Sequence, residues 1–152
     1  FIEICEAIRA LANKYPEIHF IYPVHLNPNV QKPAHKILNG LKNVHLIEPL
    51  DYKEFVYLMN YCYLILTDSG GIQEEAPSLK KPVLVMRETT ERPEAIESGG
   101  VKLVGSDKRV IVKEVSALID SKEKYLDMCI KSNPYGDGTA SNKINLYLRD
   151  NL

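Results

Sequence analysis

With 152 residues, 45% of them hydrophobic and 26% charged, the chain has the size and composition of one folded domain rather than a disordered segment. Its formal net charge of −1 offers no basic field for nucleic acid or an anionic membrane surface. The sequence shows neither an apolar run of membrane-spanning length nor a signal peptide at its start, which predicts a soluble cytoplasmic protein.

The three cysteines point to the same compartment. Cys5, Cys62 and Cys129 lie far apart in apolar segments, as buried thiols do in a reducing cytoplasm. Metal ligation needs clustered partners, which the sequence lacks, and it also lacks a nicotinamide-binding fingerprint. We therefore expect a protein that uses neither a metal nor a cofactor.

Helical and strand-like patterns alternate along the chain. The first helix starts at Phe1 with no methionine or N-cap residue before it, as expected for a fragment that begins inside a helix. Strands are predicted at 18–24, 44–47, 63–66, 82–86 and 101–104, and helices at 1–11, 30–40, from 51, after 71, near 93, at 107–118, at 121–131 and up to about 148. The alternation predicts one α/β domain over 1–152, a Rossmann-like parallel sheet with helices on both faces.

The segment 61–94 contains the most informative pattern. A buried strand run is followed by Ser69-Gly70-Gly71, a helical pattern and a second buried run, which together make a βαβ unit with parallel strands. Ligands of such units bind beyond the carboxyl ends of the strands. Gly70 and Gly71 let an anion approach the backbone, and the helix that starts there directs N–H groups at it.

The polar residues around these glycines have functional and structural interpretations. Ser69 either caps the helix or donates its hydroxyl to a phosphate oxygen. Glu75 lies about a turn and a half into the helix, within reach of a ribose. The structural alternative is a tight turn followed by acidic residues that the helix dipole stabilises. The glycines alone favour that alternative, because short motifs often match by chance.

Longer sequence motifs favour the functional interpretation over the structural one. They are DSGGIQEEAP at 68–77, KPVLV at 81–85, TTERPE at 89–94, YPVHLNPNV at 22–30, LVGSD at 103–107 and NPYGDG at 133–138. In this order, and over essentially the whole chain, the sequence closely resembles the non-hydrolysing UDP-N-acetylglucosamine 2-epimerases. The resemblance implies the C-terminal, nucleotide-binding half of a two-domain, glycosyltransferase-B-like enzyme.

The resemblance also implies what the chain lacks. In that family a strand, a Gly-His-Arg-Arg loop and a whole N-terminal domain precede the first helix, and they carry the catalytic carboxylates and the histidine beside the leaving phosphate. The family interconverts UDP-N-acetylglucosamine and UDP-N-acetylmannosamine. UDP is eliminated to give 2-acetamidoglucal and is added back after reprotonation at C2 on the opposite face. A fragment without the catalytic groups is expected to bind UDP and not to epimerise, and the full-length enzyme is expected to be a homodimer of polysaccharide biosynthesis.

Ligand contacts carry over residue by residue. The resemblance places Ser69, Gly70 and Gly71 at the β-phosphate of UDP or a UDP-N-acetylhexosamine, and Glu75 at the ribose hydroxyls. It places Phe55 near the uracil, although a phenylalanine in a helix is more often part of the core.

Three further positions are assigned with a competing interpretation for each. The backbone at Leu50 is expected to read the edge of the base. Arg92 matches an arginine at the active-site cleft, but in a charged loop it equally suits pairing with nearby glutamates, namely Glu91, Glu94 or Glu97. His25 matches a histidine that helps to bind a second, activating UDP-N-acetylglucosamine; otherwise it is a turn residue satisfied by nearby backbone.

Three alternatives to the epimerase remain open at this point. They are the nucleotide-binding half of a UDP-sugar glycosyltransferase, a hydrolysing epimerase that releases free N-acetylmannosamine, and a non-catalytic UDP-sugar-binding module. The TTERPE string argues against the first, and the PVHLNP and QEEAP strings favour the non-hydrolysing branch over the second.

Overall fold

The structure is a computed structural model that describes residues 1–129 and 133–151. Helices and strands alternate as the sequence predicts, and a 3-10 turn at Ala76–Leu79 follows the fourth helix. The strands are β1 (Phe20–Pro23), β2 (Val44–Ile47), β3 (Ile65–Thr67), β4 (Val83–Val85) and β5 (Val101–Leu103). The helices are α1 (Ile2–Lys14), α2 (Pro28–Leu38), α3 (Tyr52–Tyr61), α4 (Gly70–Glu75), α5 (Pro93–Glu97), α6 (Lys108–Asp120), α7 (Lys122–Met128) and α8 (Ala140–Asn151).

The ends of several elements differ from the prediction. The strand predicted from Tyr63 starts at Ile65, because Tyr63 is held by other contacts: its ring stacks on Tyr125 with centroids 4.0 Å apart, and its carbonyl accepts from the Tyr125 hydroxyl at 3.0 Å. The helix predicted at 121–131 ends at Met128, and the last part of that prediction, 130–131, lies outside the described residues.

The strands form parallel sheets, in two pieces. β1 pairs with β2, and β4 lies between β3 and β5, all in parallel register. Within the described residues β1 and β3 are not hydrogen-bonded to each other. A common doubly wound strand order is 3-2-1-4-5-6, in which the strand before the first helix separates the second strand from the fourth. The two observed pieces correspond to the 3-2 and 4-5-6 parts of that order.

Helices cover both faces of the sheets, as the sequence predicts. Successive side chains of a strand point to opposite faces. In β4, Leu84 joins a core formed mainly by α1, α2 and α6, while Val83 and Val85 join a core with α3, α5 and the 3-10 turn. Strand residues from both sheet pieces line the first core, including Phe20 and Leu66.

The cysteines are only partly as expected. Cys5 is fully buried in the first core, where burial raises the pKa of its thiol. Cys62 and Cys129 are half-buried, and all three are free thiols.

The helix after the Ser-Gly-Gly turn is short. α4 runs for six residues and then tightens into the 3-10 turn, which contains Pro77. Proline has no N–H to continue an α-helical ladder, so the tighter turn is the local solution. Lys80 ends it in the left-handed conformation, with φ of 56°. Only a short segment therefore separates the end of α4 from the start of β4.

The last helix stands apart from both cores. Every residue of α8 is exposed or half-exposed, including the large apolar side chains of Ile144, Leu146, Tyr147 and Leu148. α8 comes after the 133–138 turn. Asn133 in that turn donates a 2.6 Å hydrogen bond to the Ser78 hydroxyl in the 3-10 turn.

Candidate nucleotide site

The carboxyl ends of β3 and β4 lie side by side because the two strands are parallel. The Ser69-Gly70-Gly71 turn follows β3, and the charged loop 87–92 follows β4. Both predicted ligand-binding segments therefore share one edge of the sheet, where ligands of doubly wound folds bind.

Ser69 occupies the N-cap position of α4 with an extended backbone, φ −84° and ψ 133°. Its N–H donates to Thr67 Oγ1 at 3.1 Å. Within the described part of the chain its side chain makes no capping hydrogen bond. Of the two roles predicted for the hydroxyl, this structure does not use capping, so the hydroxyl is not committed to the helix.

Gly70 and Gly71 have helical backbone conformations, which residues other than glycine can also adopt. The space beside position 70 is limited by a side chain. A Cβ added there would lie 3.0 Å from Oε1 of Glu91, tighter than ordinary contact, whereas a Cβ at Gly71 would have Ser69 Oγ as its nearest neighbour at 3.9 Å. A carboxylate already approaches the backbone of this turn closely.

That carboxylate is itself paired with an arginine. Arg87 donates to both oxygens of Glu91, at 3.1 and 3.2 Å. Hydrogen bonding from its own backbone, followed by the Arg87 guanidinium, holds the pKa of Glu91 below its ordinary value. Glu91 is therefore a fixed negative charge beside the start of α4.

Glu75 is the last residue of α4 and is half-buried. Interaction with its carboxylate raises the pKa of the Tyr52 hydroxyl at the start of α3. Glu75 is thereby placed next to the helix that carries Phe55. Phe55 is half-buried and packs against the second core, which fits the core interpretation of this residue, and Leu50 is half-buried just before α3.

Arg92 has a different partner from those expected. Its Nε donates to Oε1 of Glu74 on α4, and a terminal nitrogen donates to the Glu91 carbonyl at 3.1 Å. Of the predicted side-chain partners Glu91, Glu94 and Glu97, the structure uses none in the described residues. The bond to Glu74 is the main reason why the pKa of Arg92 is raised. The pairing offered as the alternative to a ligand role was therefore wrong about the partner, because Glu74 is distant in sequence and adjacent only in the fold.

His25 lies in the exposed turn after β1. Its Nδ1 accepts the backbone N–H of Asn27 at 3.1 Å, as the structural interpretation of this residue predicts. Burial raises the pKa of the Tyr22 hydroxyl in β1 to about 12, and Cys5 and Asp68 add smaller contributions.

Sequence reasoning missed Gln73. This side chain is fully buried at 0% exposure, its Nε2 donates to the Ser69 carbonyl at 3.2 Å, and its Oε1 accepts from Thr90 Oγ1 at 2.6 Å. A sign was available, because Gln73 precedes Ala76 by three positions and so shares the inward face of the helical pattern.

A shallow cavity of about 400 Å³ is lined by Pro77, Ser78, Lys80 and the 133–138 turn, and none of the predicted ligand residues lines it. Across 1–129 and 133–151 there is no group of three or more histidine, cysteine or acidic residues placed to hold a metal ion. No helix in these ranges is long and apolar enough to cross a membrane.

Known proteins resemble the chain over nearly its whole length. A family model described as UDP-N-acetylglucosamine 2-epimerase matches residues 1–149. The UDP-N-acetylglucosamine 2-epimerase of Campylobacter jejuni is 59% identical over 144 residues, which are 95% of this chain and 38% of that protein.

Solved structures agree with the sequence comparison. The Neisseria meningitidis UDP-GlcNAc 2-epimerase bound to UDP-GlcNAc is 54% identical with a TM-score of 0.92, over 99% of this chain and 40% of that one. A structure of S. aureus MnaA with UDP is 46% identical with a TM-score of 0.91, over 97% of this chain and 40% of that one. The chain thus spans about 40% of the length of the relatives that it matches. These matches favour the epimerase interpretation over the glycosyltransferase half.

Proposed function

The chain belongs to the UDP-N-acetylglucosamine 2-epimerase family, and from that premise we propose that it is the C-terminal nucleotide-binding part of a UDP-N-acetylglucosamine 2-epimerase. The observation that carries the proposal is the Ser69-Gly70-Gly71 turn at the sheet edge, with Glu75 at the end of the same short helix, in a chain that matches structures with UDP-GlcNAc or UDP over almost all of its length. The relatives that it matches are more than twice as long, which supports a site completed by a second domain.

In this proposal, different elements at this edge bind different parts of the nucleotide. The Ser69 hydroxyl and the N–H groups of Gly70 and Gly71 bind the β-phosphate, since glycine backbone and the start of a helix favour an anion. Glu75 binds the ribose hydroxyls, and Leu50 and Phe55 lie on the uracil side. Arg92 faces the diphosphate from the opposite loop while Glu74 holds its guanidinium in place.

Catalysis belongs to the complete enzyme in this proposal. Elimination of UDP from C1 with loss of the C2 proton needs positioned acid and base groups. The leaving UDP needs its negative charge stabilised, which is the contribution of the Ser-Gly-Gly turn. The resemblance assigns the acid and base groups to an N-terminal domain outside this chain, so this chain alone binds UDP and does not epimerise. In the complete enzyme, a cytoplasmic homodimer, His25 faces a second UDP-N-acetylglucosamine.

Calorimetric titration of the chain with UDP tests the proposal. We expect saturable binding that Glu75→Ala weakens about tenfold, because a carboxylate that binds a diol makes charge-assisted hydrogen bonds. Glu17→Ala, which removes an exposed glutamate from the loop after α1, is the matched control and is expected to leave the affinity unchanged.

Two results would count against the proposal. Equal affinities for the wild type and Glu75→Ala would remove Glu75 from the site. Absence of binding at millimolar UDP, both in this chain and in a chain that includes the upstream domain, would mean that the Ser-Gly-Gly turn is structural.

A further inference from the structure

The buried amide of Gln73 connects two segments that sequence places far apart. Nε2 donates to the carbonyl of Ser69, at the turn before α4, and Oε1 accepts from Thr90, in the loop after β4. A fully buried polar side chain is costly unless its groups are hydrogen-bonded. Leucine would fill a core position without that requirement, so the amide at position 73 is explained by the two bonds that it makes.

Thr90 extends the connection into its own loop. Its Oγ1 donates to Gln73 and also accepts the backbone N–H of Arg92 at 3.0 Å. One hydroxyl therefore fixes both the position of the loop against α4 and the start of the segment that carries Arg92. Outside this buried connection, the half-exposed pair of Arg92 and Glu74 joins the same two segments.

We propose that the Gln73–Thr90 hydrogen bond is a positioning device that sets the Ser69-Gly70-Gly71 turn against the Arg92 loop, so that both reach one diphosphate together. The inference rests on the proposed function, since it concerns the geometry of the same nucleotide site. Gln73 and Thr90 act through Ser69 and Arg92 and do not contact the ligand. Preorganised donors bind more tightly because less ordering remains to be done on binding.

Thr90→Val is the most direct test, because valine keeps the shape of threonine and lacks its hydroxyl. We expect a UDP affinity about five- to tenfold lower than that of the wild type. Thr90→Ser restores the hydroxyl and is expected to bind UDP within about twofold of the wild type. Gln73→Met, which keeps the length of the side chain and removes both bonds, is expected to weaken binding as Thr90→Val does.

Hydrogen exchange without ligand tests the positioning separately. The Ser69 amide donates to Thr67 Oγ1, and Thr90 is linked to the Ser69 backbone through Gln73. We expect this amide to exchange several-fold faster in Thr90→Val and at the wild-type rate in Thr90→Ser, with the amides of α1 unchanged as a check that the fold is intact.

The outcomes separate the inference from the proposed function. Unchanged exchange at Ser69 in Thr90→Val, or unchanged UDP affinity in that variant, would overturn the inference. A wild-type chain that fails to bind UDP, alone and with its upstream domain, would overturn the proposed function and with it the role of the bond in ligand binding. Equal losses in Thr90→Val and Thr90→Ser would also overturn the inference, because the hydroxyl would not be the cause.

Discussion

At the scale of single residues, the negative charge of Glu91 stands where a diphosphate is proposed to bind. Its carboxylate lies against Gly70 and is paired with Arg87. Glu91→Gln removes the charge and frees Arg87, so we expect UDP to bind about two- to fivefold more tightly at low ionic strength, with a smaller gain in high salt. Titration calorimetry at two salt concentrations measures both effects.

Glu88 provides the matched control for this prediction. It lies in the same loop and carries the same charge, but its carboxylate is directed at Gly105, where a Cβ would be 2.6 Å from Oε1. Glu88→Gln should change the affinity less than Glu91→Gln does. Weaker binding in Glu91→Gln would show instead that the carboxylate contacts the ligand.

The residues of the site differ in how far sequence could identify them. Four of them, Ser69, Gly70, Gly71 and Glu75, lie within seven positions of one another, so sequence shows that they share a turn and a short helix. The longer matching strings, and not this spacing alone, assign them to a phosphate and a ribose. Partners across the fold are not readable in this way. Arg92 pairs with a residue 18 positions away, and the partner of Gln73 is 17 positions away on a different loop.

At the scale of elements, one carboxylate adds hydrogen bonds to the packed junction of α1 and α6. Asp120 at the end of α6 accepts from the Tyr15 hydroxyl at 2.8 Å and from Lys14 Nζ at 3.2 Å. The Tyr15 hydrogen bond, and after it Lys14, holds the pKa of Asp120 below its ordinary value.

A pKa that is lower in the folded state makes the junction sensitive to acid. The stabilisation is complete above the unfolded-state pKa of Asp120, near about 4, and is lost as the pH falls through the lower folded-state pKa. Asp120→Asn should therefore lose stability at neutral pH, and its difference from the wild type should shrink on acidification. Urea unfolding at neutral and acidic pH checks this, with Asp127→Asn on α7 as the control. A difference that does not depend on pH would assign the effect to packing.

The ends of helices were predictable where a side chain decides them. The sequence predicts a helix that begins at Asp107, and in the structure the Asp107 carboxylate caps α6 by accepting the N–H groups of Arg109 and Val110 at 2.8 and 3.2 Å. Asp51 takes the cap position of α3, yet within the described residues its side chain makes no capping bond. In these two helices, a cap residue in the sequence marks the start of the helix correctly. It does not tell whether the side chain of that residue makes the capping hydrogen bond.

At the scale of the whole molecule, the alternation of apolar runs predicted the α/β class and the covered faces, but not the division of the sheet. Strand pairing is set by contacts that are distant in sequence, so a break between β1 and β3 leaves no local sign. The backbone shows which groups face the break. In β1, the N–H groups of Phe20 and Val24 donate to the β2 side, and in β3 the backbone groups of Ile65 and Thr67 bond on the β4 side. Backbone groups of successive strand residues point in opposite directions. The backbone groups of Ile21 and Leu66 therefore point away from β2 and β4, towards the gap between the two sheet pieces.

We expect an upstream strand to join these two edges in a longer chain. Extending the chain through the segment that precedes Phe1 should slow exchange of the Ile21 and Leu66 amides at least about tenfold, since both would enter a continuous parallel sheet. The Phe20 and Ile65 amides, which are already bonded, serve as controls. Rates at Ile21 and Leu66 that stay as fast as in this chain would mean that no strand lies between the two pieces.

The exposure of α8 has a separate consequence for the thermodynamics of this chain. A helix of twelve residues with none of its side chains buried has only local propensity to support it, and helices of that length are marginal alone. Its fraying is therefore uncoupled from cooperative unfolding of the two cores, so it contributes little to the heat absorbed at the main transition. Any surface that binds Ile144 and Leu148 must offset the conformational entropy lost when this segment is ordered. The helix content of α8 should therefore rise when such a surface binds.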